Sequence, residues 1–107
     1  MTIRYKNAKV DLTTTNATDI FTMPNATTAV IKSILVSEDS GNADTITLTL
    51  TDSASAIFSL FKVKAVSANT TVELLTAPLV VAESEKITAQ AATANRLHVV
   101  VSFMEIS

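Results

Sequence analysis

The sequence predicts an all-β chain, an antiparallel β-sandwich built as one domain over residues 1–107. Three observations lead there. Thr45–Thr51 alternates strictly, with Ile46, Leu48 and Leu50 on one face and Thr45, Thr47, Thr49 and Thr51 on the other. Successive side chains of a strand point to opposite faces, so a period of two marks a half-buried strand. Short stretches of this kind recur at roughly 8 to 12 residue spacing, separated by turn residues. No stretch shows helical periodicity; the alanines near Ala65 and Ala89–Ala94 are flanked by threonines and valines, which favour strands.

In chain order, Ile3–Leu12 reads as a first strand, with Ile3 and Tyr5 on one face against Arg4 and Lys6. Thr13–Asn16 is a polar turn. Asp19–Met23 is a short second strand, closed by Pro24, which has no N–H to give a ladder. Thr27–Ser37 is a third strand. Ala29, Ile31, Ser33 and Leu35 form one of its faces and Val30, Lys32, Ile34 and Val36 the other. Both faces are largely apolar, and a small two-layer sandwich has only one interior. The second face therefore calls for a neighbouring subunit, or for a loop of the same chain folded across it.

Glu38–Asp44 is an acid-rich loop holding Gly41, the only glycine of the chain. The alternating strand through Leu50 follows and is expected to be central. Ile57–Val66 is a fifth strand, with Phe61, Val63 and Ala65 inward against Lys62 and Lys64. Thr70–Thr76 is a sixth, with Val72 and Leu74 sharing a face, and Ala77-Pro78 ends it. Leu79–Val81 is an edge segment and Lys86–Ala91 a further strand. In the last, Arg96–Ile106, Leu97, Val99, Val101 and Phe103 alternate with His98, Val100, Ser102 and Met104. With one glycine and two prolines, the turns fall to Asn, Asp, Ser and Ala; Asn and Asp tolerate the left-handed region best.

Composition narrows the function classes. Hydrophobic residues make up 48% of the chain and charged ones 17%, an excess that suggests apolar surface meeting other chains. No window approaches the roughly 18 uncharged apolar residues of a membrane-spanning helix, and the opening residues lack the apolar core of a secretory leader. With no cysteine, disulfides and thiolate chemistry are excluded. A net charge of −2 and the loose grouping of Arg4, Lys6 and Lys9 do not make a nucleic-acid surface.

No catalytic constellation emerges. His98 is the only histidine and lies in an apolar strand with no acid or nucleophile beside it in sequence. One glycine cannot build a phosphate loop or a nucleophile elbow. Glu38, Asp39, Asn42 and Asp44 offer oxygen ligands, but their spacing fits no EF-hand and reads as a solvated turn. The expectation is therefore a non-enzymatic protein with no catalytic residue, no metal site and no cofactor. The threonine ladder resembles one rung of an ice-binding surface, which needs many rungs in register. A carbohydrate-binding or adhesive sandwich is a weaker reading, because the chain has no tryptophan and one tyrosine to stack on sugars.

Thr28–Val36, the alternating Thr45–Leu50, and the closing series Thr70–Leu74, Leu79–Ala91 and Leu97–Ser102 together resemble small virion structural proteins of tailed bacteriophages. The likeness runs over the whole chain as a rhythm, with a polar acid-containing turn before Lys86–Ala89 and an apolar final strand. The chain departs in carrying alanine and serine where such proteins often have glycine in turns. The resemblance implies a jelly-roll-like sandwich present on the virion in many symmetric copies. It suggests a capsid decoration or cement protein, homo-oligomeric (a trimer at three-fold positions), partnered by the major capsid protein or other virion proteins, with neither nucleic acid nor membrane as partner. A neck, collar or tail accessory protein is the alternative. Val30, Ile34 and Val36 are the expected intersubunit patch. Charging Ile34 and Val36 together is then expected to abolish assembly and spare the domain.

Overall fold

A computed structural model describes all of residues 1–107. Nine strands occur: β1 (Ile3–Asp11), β2 (Thr18–Thr22), β3 (Thr28–Glu38), β4 (Asp44–Thr51), β5 (Ile57–Val66), β6 (Thr71–Glu73), β7 (Leu79–Val81), β8 (Lys86–Ala91) and β9 (Leu97–Ile106). They form two sheets in which every pairing is antiparallel. One runs β1-β9-β3, with β6 and β7 both pairing the far side of β3; the other runs β2-β8-β4-β5. Since β6 and β7 lie along successive halves of β3, they act as one strand interrupted before Pro78. Counted so, the chain has eight strands in two interleaved four-stranded sheets, the jelly-roll arrangement.

The core between the sheets holds eighteen buried apolar residues, among them Ile31, Ile34, Val36, Ile46, Leu48, Ile87, Val99 and Val101. Phe21 of one sheet stacks on Phe103 of the other, with ring centroids 4.9 Å apart. The alternation of β9 holds throughout: Leu97, Val99, Val101 and Phe103 are buried, and the residues between them partly exposed. In β4, Ile46 and Leu48 are buried and Leu50 is half-buried, with threonines on the outer side. This strand is interior to its sheet, between β8 and β5.

β3 departs from simple alternation, and this overturns the two-faced reading. Its register against β9 shifts between Ile31 and Ser33. Ala29 and Ile31 point into the core before this bulge, and Ile34, Val36 and Glu38 after it. An extra residue in a strand exchanges the faces of everything beyond it. What looked like two apolar faces is one interior sampled in two phases. Glu73 holds the bulge open. Its carboxylate accepts hydrogen bonds from the Ser33 hydroxyl, from the Ile34 N–H at 2.8 Å and from the Leu75 N–H at 3.2 Å. β6 ends at Glu73 rather than continuing to Thr76.

β5 also departs. Only Leu60 and Phe61 pack partly against the core and Val66 is buried, whereas Val63 is 61% exposed and Ala65 is exposed too. Two register shifts against β4 account for this. Val63 sits at φ +53°, a left-handed conformation that β-branched residues rarely adopt, and its N–H donates to Thr47 Oγ1 at 3.1 Å.

The loop joining β3 to β4 carries the chain from one sheet to the other. Glu38, only 1% exposed, organises it: its carboxylate accepts from the N–H groups of Ser40, Gly41, Asn42 and Asn69 and from the Ser40 hydroxyl. Burial alone raises its pKa, but these donors outweigh that and lower it to about 2. Gly41, at φ +85°, supplies the left-handed step the turn needs. Asp44, also buried, accepts from the N–H groups of Thr45 and Thr93. Two of the loop's acids are thus committed to backbone N–H groups, which is what a turn asks of them.

Candidate assembly interface

The outer face of the β1-β9-β3-β7 sheet carries the apolar surface that composition foretold. Strand register places its residues in rows across the strands. Tyr5, Met104, Val30 and Val80 form one row over four strands. Ile3, Ile106 and Thr28 form the next toward the sheet end. On the other side a polar row, Asn7, Ser102 and Ser33, separates these from Lys9, Val100 and Leu35. Tyr5 is 81% exposed, Val80 55%, Ile3 49% and Leu35 38%. All lie on extended strands held by ladder bonds, so the face is rigid. The ladder continues to the chain ends, where Thr2 and Ser107 exchange hydrogen bonds of 2.7 and 2.9 Å.

Of the three residues expected at an intersubunit patch, Val30 is on this face and half-buried. Ile34 and Val36 are not: both are fully buried in the chain's own core, sent inward by the bulge. The residues that accompany Val30 are instead Tyr5, Met104 and Val80. They come from three other strands, so no local pattern groups them. Lys32-Ser33 interrupts the apolar run of β3 where the register slips, but the apolar residues on either side fit either phase.

The far end of the same face holds His98. Asp11 Oδ1 lies 3.2 Å from its Nε2 and Asp39 Oδ2 lies 3.7 Å from its Nδ1. A catalytic histidine uses one nitrogen for orientation and keeps the other for the nucleophile. Here carboxylates face both nitrogens, one from β1 and one from the β3–β4 loop. Sequence distance concealed both partners.

No protein-family model matches the chain, and no curated protein matches it. Among solved structures, the fold is similar to a chain from Bacillus endospore appendages, described as a novel family of disulfide-linked pili. The TM-score is 0.59 over 99% of this chain and 88% of that one, at 14% sequence identity. At that identity the likeness establishes the fold: a two-sheet antiparallel β-sandwich.

Proposed function

We propose that this chain is a non-enzymatic structural subunit that assembles with copies of itself through the outer face of the β1-β9-β3-β7 sheet, and that it serves as a capsid decoration or cement protein of a tailed-phage virion. The observation that carries the assembly reading is the row Tyr5, Met104, Val30 and Val80, with Ile3 and Ile106 beside it. An apolar patch on a rigid sheet face marks a contact surface. The virion location rests on the resemblance of the three stretches named above. A second reading, a subunit of a filamentous appendage, is favoured by the fold likeness to the pilus chain. Without cysteine, this chain would have to hold any such filament by apolar burial and pairing, not by disulfides.

Magnitude sets the kind of contact. Three interstrand spacings by the three row spacings from Ile3 to Lys9 cover about 14 by 20 Å, or roughly 300 Å². A standard interface takes about 800 Å² per partner, about a seventh of this chain's 5,760 Å² surface. One such patch gives weak association. A second copy is the occupant it suits, since repeated weak contacts in a closed or shell-bound array add up where a single pair does not.

The experiment is static light scattering over a concentration series, followed by binding to purified phage capsid shells. Mass rising to a discrete small oligomer, with saturable binding to shells, supports the decoration reading. Open-ended growth without a plateau favours the filament. A monomer at every concentration that also ignores shells contradicts the proposal.

A further inference from the structure

The opposite side of the molecule carries a different surface. The outer face of the β2-β8-β4-β5 sheet holds a cleft of about 440 Å³ lined by Thr47, Thr49, Thr51, Thr88, Gln90 and the pair Asp19 and Lys86. Strand register builds it in rows: Gln90 opposite Thr47, then Asp19, Thr88, Thr49 and Ser59, then Lys86, Thr51 and Ile57. This is the threonine ladder of the sequence, widened by the neighbouring strands into a sheet of hydroxyl groups.

We propose that this cleft binds a neutral polyhydroxylated ligand, a small glycan. Charge argues for neutrality: the only cation and the only carboxylate of the cleft are paired with each other, Lys86 Nζ lying 3.4 Å from Asp19 Oδ1. An anionic ligand would have to break that pair. The hydrogen-bonding inventory argues for a polyol. Thr88 donates to Asp19 at 3.1 Å, Thr47 accepts from the Val63 N–H, and Gln90 donates through Nε2 to the Thr15 carbonyl at 2.9 Å. These bonds leave the hydroxyls of Thr49 and Thr51, the O–H of Thr47 and the amide oxygen of Gln90, all on residues lining the cleft, without a hydrogen-bond partner in the protein. Hydroxyls both donate and accept, which matches another array of hydroxyls. Cross-strand neighbours lie about 5 Å apart and same-strand ones about 7 Å apart, a grid on the scale of a sugar ring's substituents.

Ile57, 69% exposed, supplies an apolar wall at one side for the C–H face of a ring. The cleft volume falls within the range of small-ligand sites. The scarcity of aromatic platforms limits affinity rather than excluding binding: with hydrogen bonds as the main contact, a dissociation constant on the order of a millimolar follows. The site faces away from the apolar rows, so the two surfaces are tested independently.

The test is amide-resolved NMR titration of the full chain with glucose, galactose, N-acetylglucosamine, maltose and sucrose, and with glucuronate as the charged comparison. At least one neutral sugar is expected to give saturable shifts centred on Thr49, Thr51, Thr88 and Gln90, unchanged by added salt. Thr49→Val with Thr51→Val keeps the β-branched shape and removes the free hydroxyls, and is expected to weaken binding roughly tenfold with an otherwise superposable spectrum. Gln90→Ala, which leaves β4 untouched, is expected to weaken it too. No saturable shift with any neutral sugar, shifts centred elsewhere, response to glucuronate alone, or undiminished binding by both variants would each overturn the proposal.

Discussion

The two outer faces of this sandwich are built from the same strand geometry and opposite chemistry. On the β1-β9-β3-β7 side, rows of Tyr5, Met104, Val30, Val80, Ile3 and Ile106 present apolar surface to solvent. On the β2-β8-β4-β5 side, rows of threonines, Gln90 and an internal ion pair present hydroxyls. Both faces back onto one core, so the difference owes nothing to stability. The second face is polar over β2, β8 and β4, and its exposed apolar residues, Ile57 and Val63, lie along the β5 edge. On the reading proposed above, the apolar face is the one that meets a second copy of the chain.

Within β3, Val30, Ile34 and Val36 lie on either side of the bulge, share an apolar character and differ in destination. Ile34→Asp with Val36→Asp places two charges in the core and is expected to abolish the fold, read as loss of the β-sheet circular dichroism signal and of any cooperative transition. Even Ile34→Ala is expected to cost about 3 kcal/mol. Val30→Glu, on the outer face, is expected to keep the β signal. A folded Ile34/Val36 double variant would mean that the bulge does not set the phase.

Next in size is acid sensitivity at the crossing between the sheets. Glu38 has a pKa lowered to about 2 in the folded chain, against 4.5 when unfolded. A group whose pKa falls on folding binds fewer protons in the native state, so its stabilisation is complete above about pH 4.5 and is lost as pH falls toward 2. Glu73 is lowered as well, with burial opposing and the Ser33 hydroxyl and Ile34 N–H prevailing, so it acts in the same sense. Melting temperature is expected to drop through this window. Glu38→Gln is expected to melt lower at neutral pH and to show a shallower acid decline.

Smaller again is Glu73→Ala, which releases the Ile34 N–H and destabilises by about 1–2 kcal/mol, as expected for charged hydrogen bonds at a solvent-accessible site. Chemical denaturation measures it. It also sharpens the contrast between faces, because the bulge decides which β3 residues reach the apolar one. The smallest effect has the opposite sign. Val63→Gly relieves a left-handed β-branched residue at the margin of the hydroxyl face and is expected to stabilise by about 1 kcal/mol, a gain readable as a higher denaturation midpoint.

Much of this fold was legible in the residues. Val99 against His98, or Leu48 against Thr47, announces strand and face together, because alternation is a local property. β7 and β8 could be bounded from Pro78 and from the Ala82–Glu85 turn in the same way. The phase of β3 was not legible, since Ala, Val, Ile and Leu on both sides of Lys32-Ser33 fit either register and the deciding group, Glu73, lies some forty residues away. The position of Val63 was hidden likewise, because its strain answers to the pairing of β5 with β4. Of the candidate patch, Val30 could be named from its own strand. Tyr5, Met104 and Val80 joined it only through the order of strands in the sheet. The hydroxyl ladder was visible along β4, while the cleft around it needed β8 and β2 beside it.

On the proposed reading, copies of the chain join through the apolar face and not through the hydroxyl face. The most direct test is light scattering on the unmodified protein, on Val30→Glu and on Thr49→Glu over the same concentration series. Self-association is expected for the unmodified chain and for Thr49→Glu, and a monomer at every concentration for Val30→Glu with its β-sheet signal intact. Equal masses for the two variants, or a monomer produced only by Thr49→Glu, would contradict that reading.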